Sequence, residues 1–219
     1  MDPFAPMLAF TFWPGGPPGG VASGLHRLAV SEHTRTEVLQ LLEILEAQTR
    51  TLAEKLPGRL ETSPLRSHAR YSREELAAAF GMGTTVRGTP GSFVSGVRWF
   101  PESQTDLLLV TLRKSESDFS PSTLYRDYAI SQSLFHWESQ STTRAESPTG
   151  RRYQEHEARG SQVLLCVRET KTGDIGSEPF TCLGTVRYQS HSGEQPMQIL
   201  WELDRPMPAE LLLHARAVS

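Results

Sequence analysis

The second half of the chain contains short apolar runs that are typical of β-strands. They are rich in leucine, β-branched and aromatic residues, and several alternate apolar with polar positions. Six such segments occur: V-S-G-V-R-W-F-P, D-L-L-L-V-T-L-R-K, L-F-H-W-E-S-Q, Q-V-L-L-C-V-R-E, F-T-C-L-G-T-V-R-Y-Q-S and M-Q-I-L-W-E-L. This pattern predicts six strands after Gly83.

Turn residues separate several of these strands, as in Lys171-Thr172-Gly173-Asp174 and His191-Ser192-Gly193-Glu194. Helix-forming patterns between them are few: a short helix is expected in the segment Gly150 to Arg159, and the final P-A-E-L-L-L-H-A-R predicts another helix or a closing strand. Strands joined mostly by short turns indicate an α+β fold. We therefore expect an antiparallel curved sheet or a small β-barrel, with an N-terminal helix and short flanking helices.

The first part of the chain has a different pattern. Residues 1 to 30 include W-P-G-G-P-P-G-G, which is too rich in Pro and Gly for a helix, so they predict a flexible lead-in. Residues 31 to 57 carry an apolar stripe at three- and four-residue intervals, which predicts an amphipathic helix ended by Pro57-Gly58. The remaining residues, 58 to 219, are predicted to form a separate α/β domain.

A short helix is predicted from Arg73 to Phe80. Ser72 and Glu75 have capping-box spacing, and Gly81 is placed to end the helix. Arg70 and Arg73 lie at its N-terminus, where backbone N–H groups favour an anion. These two arginines are therefore a candidate phosphate site, the alternative being that they pack over the helix start without a ligand.

Composition and charge limit the function. The chain has 22 Lys and Arg against 25 Asp and Glu, a net charge of -3, so any contact with nucleic acid has to be local. Cys166 and Cys182 each lie in an apolar run, which fits a reducing cytoplasm better than a disulfide. No apolar run is long enough to span a bilayer. A soluble cytoplasmic protein is expected.

The segment 123 to 168 interleaves aromatic rings, arginines and short polar side chains. Rings can stack on bases, arginines bind phosphate or base edges, and polar side chains complete a hydrogen-bond pattern. The candidate nucleic-acid-binding residues are Tyr125, Arg126, Tyr128, His136, Trp137, Ser139, Gln140, Thr143, Arg144, Arg151, Arg152 and Tyr153. The alternative is that Phe135 and Trp137 are strand residues, one of them in the core, and that the arginines pair with Glu138, Glu146 and Glu155.

A metal-dependent nuclease is a second hypothesis. Glu169-Thr170-Lys171 follows an apolar strand, and Asp106 or Asp127 lies upstream. This set is similar to a restriction-enzyme pattern in which the carboxylates hold Mg²⁺ and the lysine assists attack. The alternative is that Lys171-Thr172-Gly173-Asp174 is simply a hairpin turn. The nuclease is the alternative hypothesis. In the preferred interpretation we expect no catalytic residue, no bound metal and no cofactor.

Long motifs between His68 and Leu213 resemble a bacterial family, the domain of unknown function 3427. The motifs are H-A-R-Y-S-R-E-E-L, T-D-L-L-L-V-T-L-R-K-S-E, F-S-P-S-T-L-Y-R-D-Y-A-I-S, L-F-H-W-E-S-Q-S-T-T, S-P-T-G-R-R-Y and P-M-Q-I-L-W-E-L-D-R-P-M-P. The resemblance implies a domain that follows DEAD/DEAH-type helicases, often with a phospholipase-D-like nuclease module, in restriction and phage defence. It implies no catalytic residues. This chain has no helicase motif such as a Walker A loop.

The residues and the resemblance together predict a non-catalytic module that recognises nucleic acid, DNA before RNA, including modified or single-stranded DNA. A helicase or nuclease module is the expected protein partner, and no membrane contact is expected. The alternatives are the metal-dependent nuclease and a purely protein-docking module that binds its partner through the helix of residues 31 to 57.

Overall fold

The computed structural model of the protein describes residues 4–49, 53–82, 96–113, 127–173 and 176–216, with the backbone alone over 43–49. Two compact units divide the chain, Met1–Ser95 and Gly96–Ser219. The predicted domain boundary at residue 58 falls inside the first unit. Helices and strands are both abundant, and the predicted α+β class is confirmed.

The first unit is mainly helical. Its described helices are α1 (Phe4–Phe12), α2 (Val21–Val30), α3 (Glu32–Thr49) and α4 (Arg73–Ala79), with a 3₁₀ turn at Gly58–Leu60 and the short strands β1 (Glu54–Lys55), β2 (Arg66–Ser67) and β3 (Arg70–Tyr71). β1 and β2 pair antiparallel.

The structure differs from the flexible lead-in predicted for residues 1 to 30, because α1 and α2 form there. Met7 and Phe10 are buried and α1 packs against α4, so burial of apolar side chains stabilises this helix. The Pro- and Gly-rich run lies between the two helices, as its composition predicts.

Helix α3 begins where the apolar stripe predicts but ends at Thr49. Three leucines on it are largely exposed: Leu39 at 54%, Leu41 at 48% and Leu42 at 43%. Core packing therefore does not account for them.

The N-terminus of α4 has the predicted capping box. The Glu75 N–H donates to Ser72 Oγ at 3.1 Å, and the Ser72 N–H donates to Glu75 Oε2 at 2.7 Å. Two backbone donors at the helix start are satisfied in this way. Gly81 has φ +81° just after the helix, a conformation that suits glycine.

The second unit contains the main sheet, and all six predicted strands are present in it. Its elements are β4 (Val97–Phe100), β5 (Thr105–Thr111), β6 (Tyr128–Ala129), β7 (Leu134–Glu138), α5 (Pro148–Gln154), β8 (Gln162–Arg168), β9 (Thr172–Gly173), β10 (Gly176–Ser177), β11 (Phe180–Ser192), β12 (Gln198–Leu203) and α6 (Ala209–Ala215). The last helix confirms one of the two predictions for the end of the chain.

Seven strands of this unit lie in the order β4-β5-β8-β11-β12-β7-β6. Most neighbours are antiparallel, as predicted, but β5 runs parallel to β8, with Leu108 opposite Leu165. β5 is buried along its whole length, which explains its continuous apolar sequence. Among the described residues β4 and β6 remain at opposite ends of the order, so the sheet is open and not a closed barrel.

The core of the second unit lies on one face of this sheet, here called the inner face. Phe135, Trp137 and Trp201 project from this face, and Tyr153 of α5 packs against them. α6 contributes Leu212 and Ala215 to the same core. The two short helices therefore cover part of the inner face.

No helix among the described residues is long and apolar enough to span a membrane.

Candidate nucleic-acid interface

Two of the predicted stacking rings lie in the core. Trp137 is 4% exposed and Tyr153 is fully buried, with their ring centroids 5.5 Å apart in an edge-on arrangement. This corrects the prediction that both are open platforms. The reason is strand alternation: Phe135 and Trp137 share the inner face of β7, while Leu134, His136 and Glu138 face the other way. Tyr125 and Arg126 lie outside the described residues.

Tyr128 and His136 form a ring pair on the opposite face of the sheet, here called the outer face. They are register partners on β6 and β7, and their rings stack with centroids 4.7 Å apart and planes 16° apart. Both side chains are half-buried. Of the predicted ring platforms among the described residues, Tyr128 is the one that is not buried in the core.

Ser139 and Thr143 are buried, so neither is placed to read a base edge. Ser139 Oγ accepts from the Met197 N–H at 2.9 Å and donates to the Gln140 carbonyl at 3.2 Å. It thus completes the pairing of β7 with the chain before β12, a structural role. Gln140 is exposed.

Arg152 makes a buried ion pair with a residue far away in sequence. Its Nε and Nη2 donate to Asp106 Oδ2 and Oδ1 at 2.6 and 2.9 Å, and its guanidinium lies 4.4 Å from the centre of the Trp99 ring. Burial raises the pKa of Asp106, and the Arg152 hydrogen bonds oppose that shift. Arg152 therefore holds α5 on the sheet, and its guanidinium is already occupied by a carboxylate instead of being available to a phosphate. Trp99 and Asp106 were not predicted as its partners.

Arg144 and Arg151 remain available. Both are exposed; Arg144 Nη2 donates to Gln195 Oε1 at 3.3 Å. Within the described parts of the chain, neither arginine forms an ion pair. By contrast, Arg159 is paired with Glu155. We call Gln140, Arg144 and Arg151 the α5 surface.

An aromatic cluster surrounds Trp201 on the inner face. Its members are Trp137, Tyr153, His156, Tyr188, His191 and Trp201, each with a ring centroid 5.5 to 6.3 Å from at least one other member. We call this set the Trp201 cluster. Sequence reasoning missed four of its members, because the register of β11 and β12 is needed to bring them together.

Arg70 and Arg73 lie beside a helix start that is already capped. The Glu75 carboxylate accepts from the Ser72 N–H, so a negative charge occupies the end where an anion was expected. α4 is also short, at seven residues. This geometry argues against the predicted phosphate site.

The residues of the nuclease hypothesis are separated. Glu169 pairs with Arg113 at 3.0 Å and with His214 at 3.3 Å, and Asp106 binds Arg152. Asp127 Oδ1 accepts from the Glu138 N–H at 2.9 Å. In the described ranges, no group of three His, Cys, Asp or Glu side chains is arranged to hold a metal ion.

Comparison with known proteins identifies the family. No curated protein matches the chain. Among solved structures, it is similar to the DNA recognition domain of the cytosine modification-dependent restriction endonuclease LpnPI, with 10% sequence identity and a TM-score of 0.32, over 50% of this chain and 60% of that one. Residues 65–215 match the family described as Domain of unknown function (DUF3427), more than half of the sequence. The chain therefore belongs to this family.

Proposed function

We propose that this protein is a non-catalytic module that recognises DNA, working beside a helicase or nuclease module in a restriction or defence system. The observation that carries the proposal is the pair of exposed arginines on the α5 surface, which make no ion pair among the described residues. A guanidinium group that is not bound to a carboxylate is available for a phosphate.

Charge supports a small contact rather than a general one. The chain carries a net charge of -3, so its overall charge gives no attraction to a polyanion. Arg144 and Arg151 lie before and within α5, and the turn that carries Arg144 is fixed because the Ala145 N–H donates to Glu194 Oε2 at 3.0 Å. This hydrogen bond limits the motion of the backbone from which the Arg144 side chain extends.

Two further groups supply contacts other than phosphate binding. Exposed Gln140 carries an amide that can pair with a base edge, and the stacked Tyr128–His136 pair offers a ring surface. The ring pair lies on the outer face of the sheet, so it contacts a different part of the nucleic acid from the α5 surface. Leucines exposed on α3 are the surface proposed for the protein partner.

The proposal is tested by fluorescence anisotropy with a labelled duplex and the matching single strand. The double variant Arg144→Gln/Arg151→Gln should lose affinity for the duplex by roughly tenfold or more, because two phosphate contacts are removed. The matched control is Arg159→Gln/Arg187→Gln, which makes the same change of net charge at arginines already paired with carboxylates.

Control variants that bind like the wild type would support the α5 surface. An equal loss of DNA affinity in both double variants would mean that only the net charge matters. Equal affinity of the wild type and both double variants would contradict the proposal. Comparing the duplex with the single strand shows which form is preferred.

A further inference from the structure

Among the described residues, three buried hydrogen-bonding atoms in the Trp201 cluster lack a well-formed hydrogen bond, although the Ser161 backbone interacts with the His156 ring. They are Tyr153 Oη, His156 Nδ1 and Trp201 Nε1, on side chains that are 0%, 3% and 0% exposed. Leaving such a group unpaired in the interior destabilises the folded state. Three of them in one cluster of packed rings indicate a site that is not completed by the protein alone.

All three atoms are hydrogen-bond donors. The Trp201 indole nitrogen only donates. His156 Nε2 accepts from the Tyr188 N–H at 3.1 Å, so the proton of the neutral ring lies on Nδ1, and burial lowers the pKa of His156, which favours the neutral form. Burial raises the pKa of Tyr153, so its hydroxyl keeps its proton. A matching ligand must therefore present acceptors.

The walls of the cluster are flat rings. Tyr153 and Tyr188 both meet Trp201 edge-on, with interplanar angles of 83° and 80°, and the Trp201 centroid lies 6.3 Å from each of theirs. Aromatic walls with a few hydrogen-bonding groups are typical of sites that hold a planar heteroaromatic ring.

Tyr188 and His191 are the members of the cluster that are partly exposed to solvent. Both are half-buried, and Tyr188 Oη lies 2.6 Å from His191 Nδ1. The pairing of β11 with β12 shifts register between Tyr188 and Ser190, so the strand is irregular at this point. Opening the Tyr188–His191 pair breaks this one hydrogen bond.

We propose that the Trp201 cluster is the closed form of a nucleobase pocket, which the Tyr188–His191 pair covers and which receives an unpaired base with acceptor atoms on its edge. This inference rests on the proposed function, since the α5 surface holds the DNA from which the base is taken. On the Watson–Crick edge thymine presents two acceptors, O2 and O4, beside one donor, N3–H, whereas adenine presents one acceptor, N1, beside the N6 donor, so thymine is the better match to a set of donors.

The experiment compares three duplexes that differ at one central pair: fully paired, T·T mismatched and A·A mismatched. A mismatched base leaves the stack at lower cost, so the wild type should bind the T·T duplex roughly tenfold more tightly than the paired one, with a smaller gain for A·A. Tyr153→Phe and Trp201→Phe each remove one donor and keep a ring. Both should lose the T·T preference and keep the affinity for the paired duplex.

Thermal unfolding separates this role from a structural one. Tyr153→Phe removes a buried unpaired hydroxyl, so the melting temperature should stay equal or rise while the preference is lost. Trp13→Phe, in the other unit, is the control and should keep the preference. The pocket is overturned if the wild type shows no T·T preference, or if Tyr153→Phe and Trp201→Phe retain it. Absence of binding to every duplex overturns the proposed function as well.

Discussion

At the scale of single residues, Ser139 illustrates how a polar side chain serves the fold. It is fully buried, and its hydroxyl accepts from the Met197 N–H while donating to the Gln140 carbonyl. The Ser139 N–H also donates to the Met197 carbonyl at 2.9 Å. The serine therefore extends the β7–β12 pairing by side-chain and backbone bonds together.

Replacing Ser139 tests this role. Ser139→Ala leaves the Met197 N–H without its acceptor in a buried place, so the free energy of unfolding should fall by about 1 to 3 kcal/mol in a urea titration. DNA affinity measured well below the melting temperature should not change. Thr142→Ala, at an exposed position nearby, should alter stability by less than about 0.5 kcal/mol. If the Ser139→Ala protein is as stable as the wild type but binds DNA more weakly, Ser139 is a DNA-binding residue and not a structural one.

Strand alternation could have indicated the burial of Trp137 from the sequence. L-F-H-W-E places Phe135 and Trp137 on one face and His136 on the other, so a buried Phe135 implies a buried Trp137. The sequence alone does not say which face is covered. The partners of Trp137 are Tyr153 and Trp201, which are distant in sequence, and only the register brings the three rings together.

At the scale of elements, α5 is held from two sides. Its Arg152 binds Asp106 on β5, and its Tyr153 enters the Trp201 cluster. Gly150 allows the chain to pass close by: a Cβ there would collide with the Arg144 carbonyl oxygen and lie 2.8 Å from that of Ala145. Glycine is therefore required at position 150, because the backbone of residues 144 and 145 passes too close for a side chain.

Gly150→Ala should lower the free energy of unfolding by about 1 to 3 kcal/mol, because the added methyl group forces the turn at 144–145 away from α5. The same variant should weaken DNA binding, since that turn carries Arg144. Arg151→Ala, at the next position, should leave stability within about 0.5 kcal/mol of the wild type. A Gly150→Ala protein as stable as the wild type would show that the turn moves without cost.

Local sequence patterns predicted the helices and strands better than they predicted contacts between residues far apart in the sequence. The α4 capping box and the six strands depend on residues close in sequence, and the structure has both. The Arg152–Asp106 pair joins positions 46 residues apart, and no local pattern links them. The lead-in was mispredicted because the Pro and Gly residues lie between the two helices rather than throughout them.

At the scale of the whole molecule, net charge limits the kind of DNA contact that the proposed function requires. A chain with a net charge of -3 gains little from long-range attraction, so its affinity depends on a few direct phosphate contacts. The α5 surface supplies two such contacts in this account. Base recognition, through the Tyr128–His136 pair or the Trp201 cluster, then adds selectivity without adding charge.

The salt dependence of DNA affinity tests this account most directly. Each phosphate contact on duplex DNA contributes about 0.9 to the slope of log affinity against log salt concentration, so Arg144→Gln/Arg151→Gln should reduce the wild-type slope by about 1.8. Arg159→Gln/Arg187→Gln should keep that slope. The same slope in the wild type and Arg144→Gln/Arg151→Gln, or no measurable binding by the wild type at low salt, would contradict the central claim that the α5 surface contacts DNA.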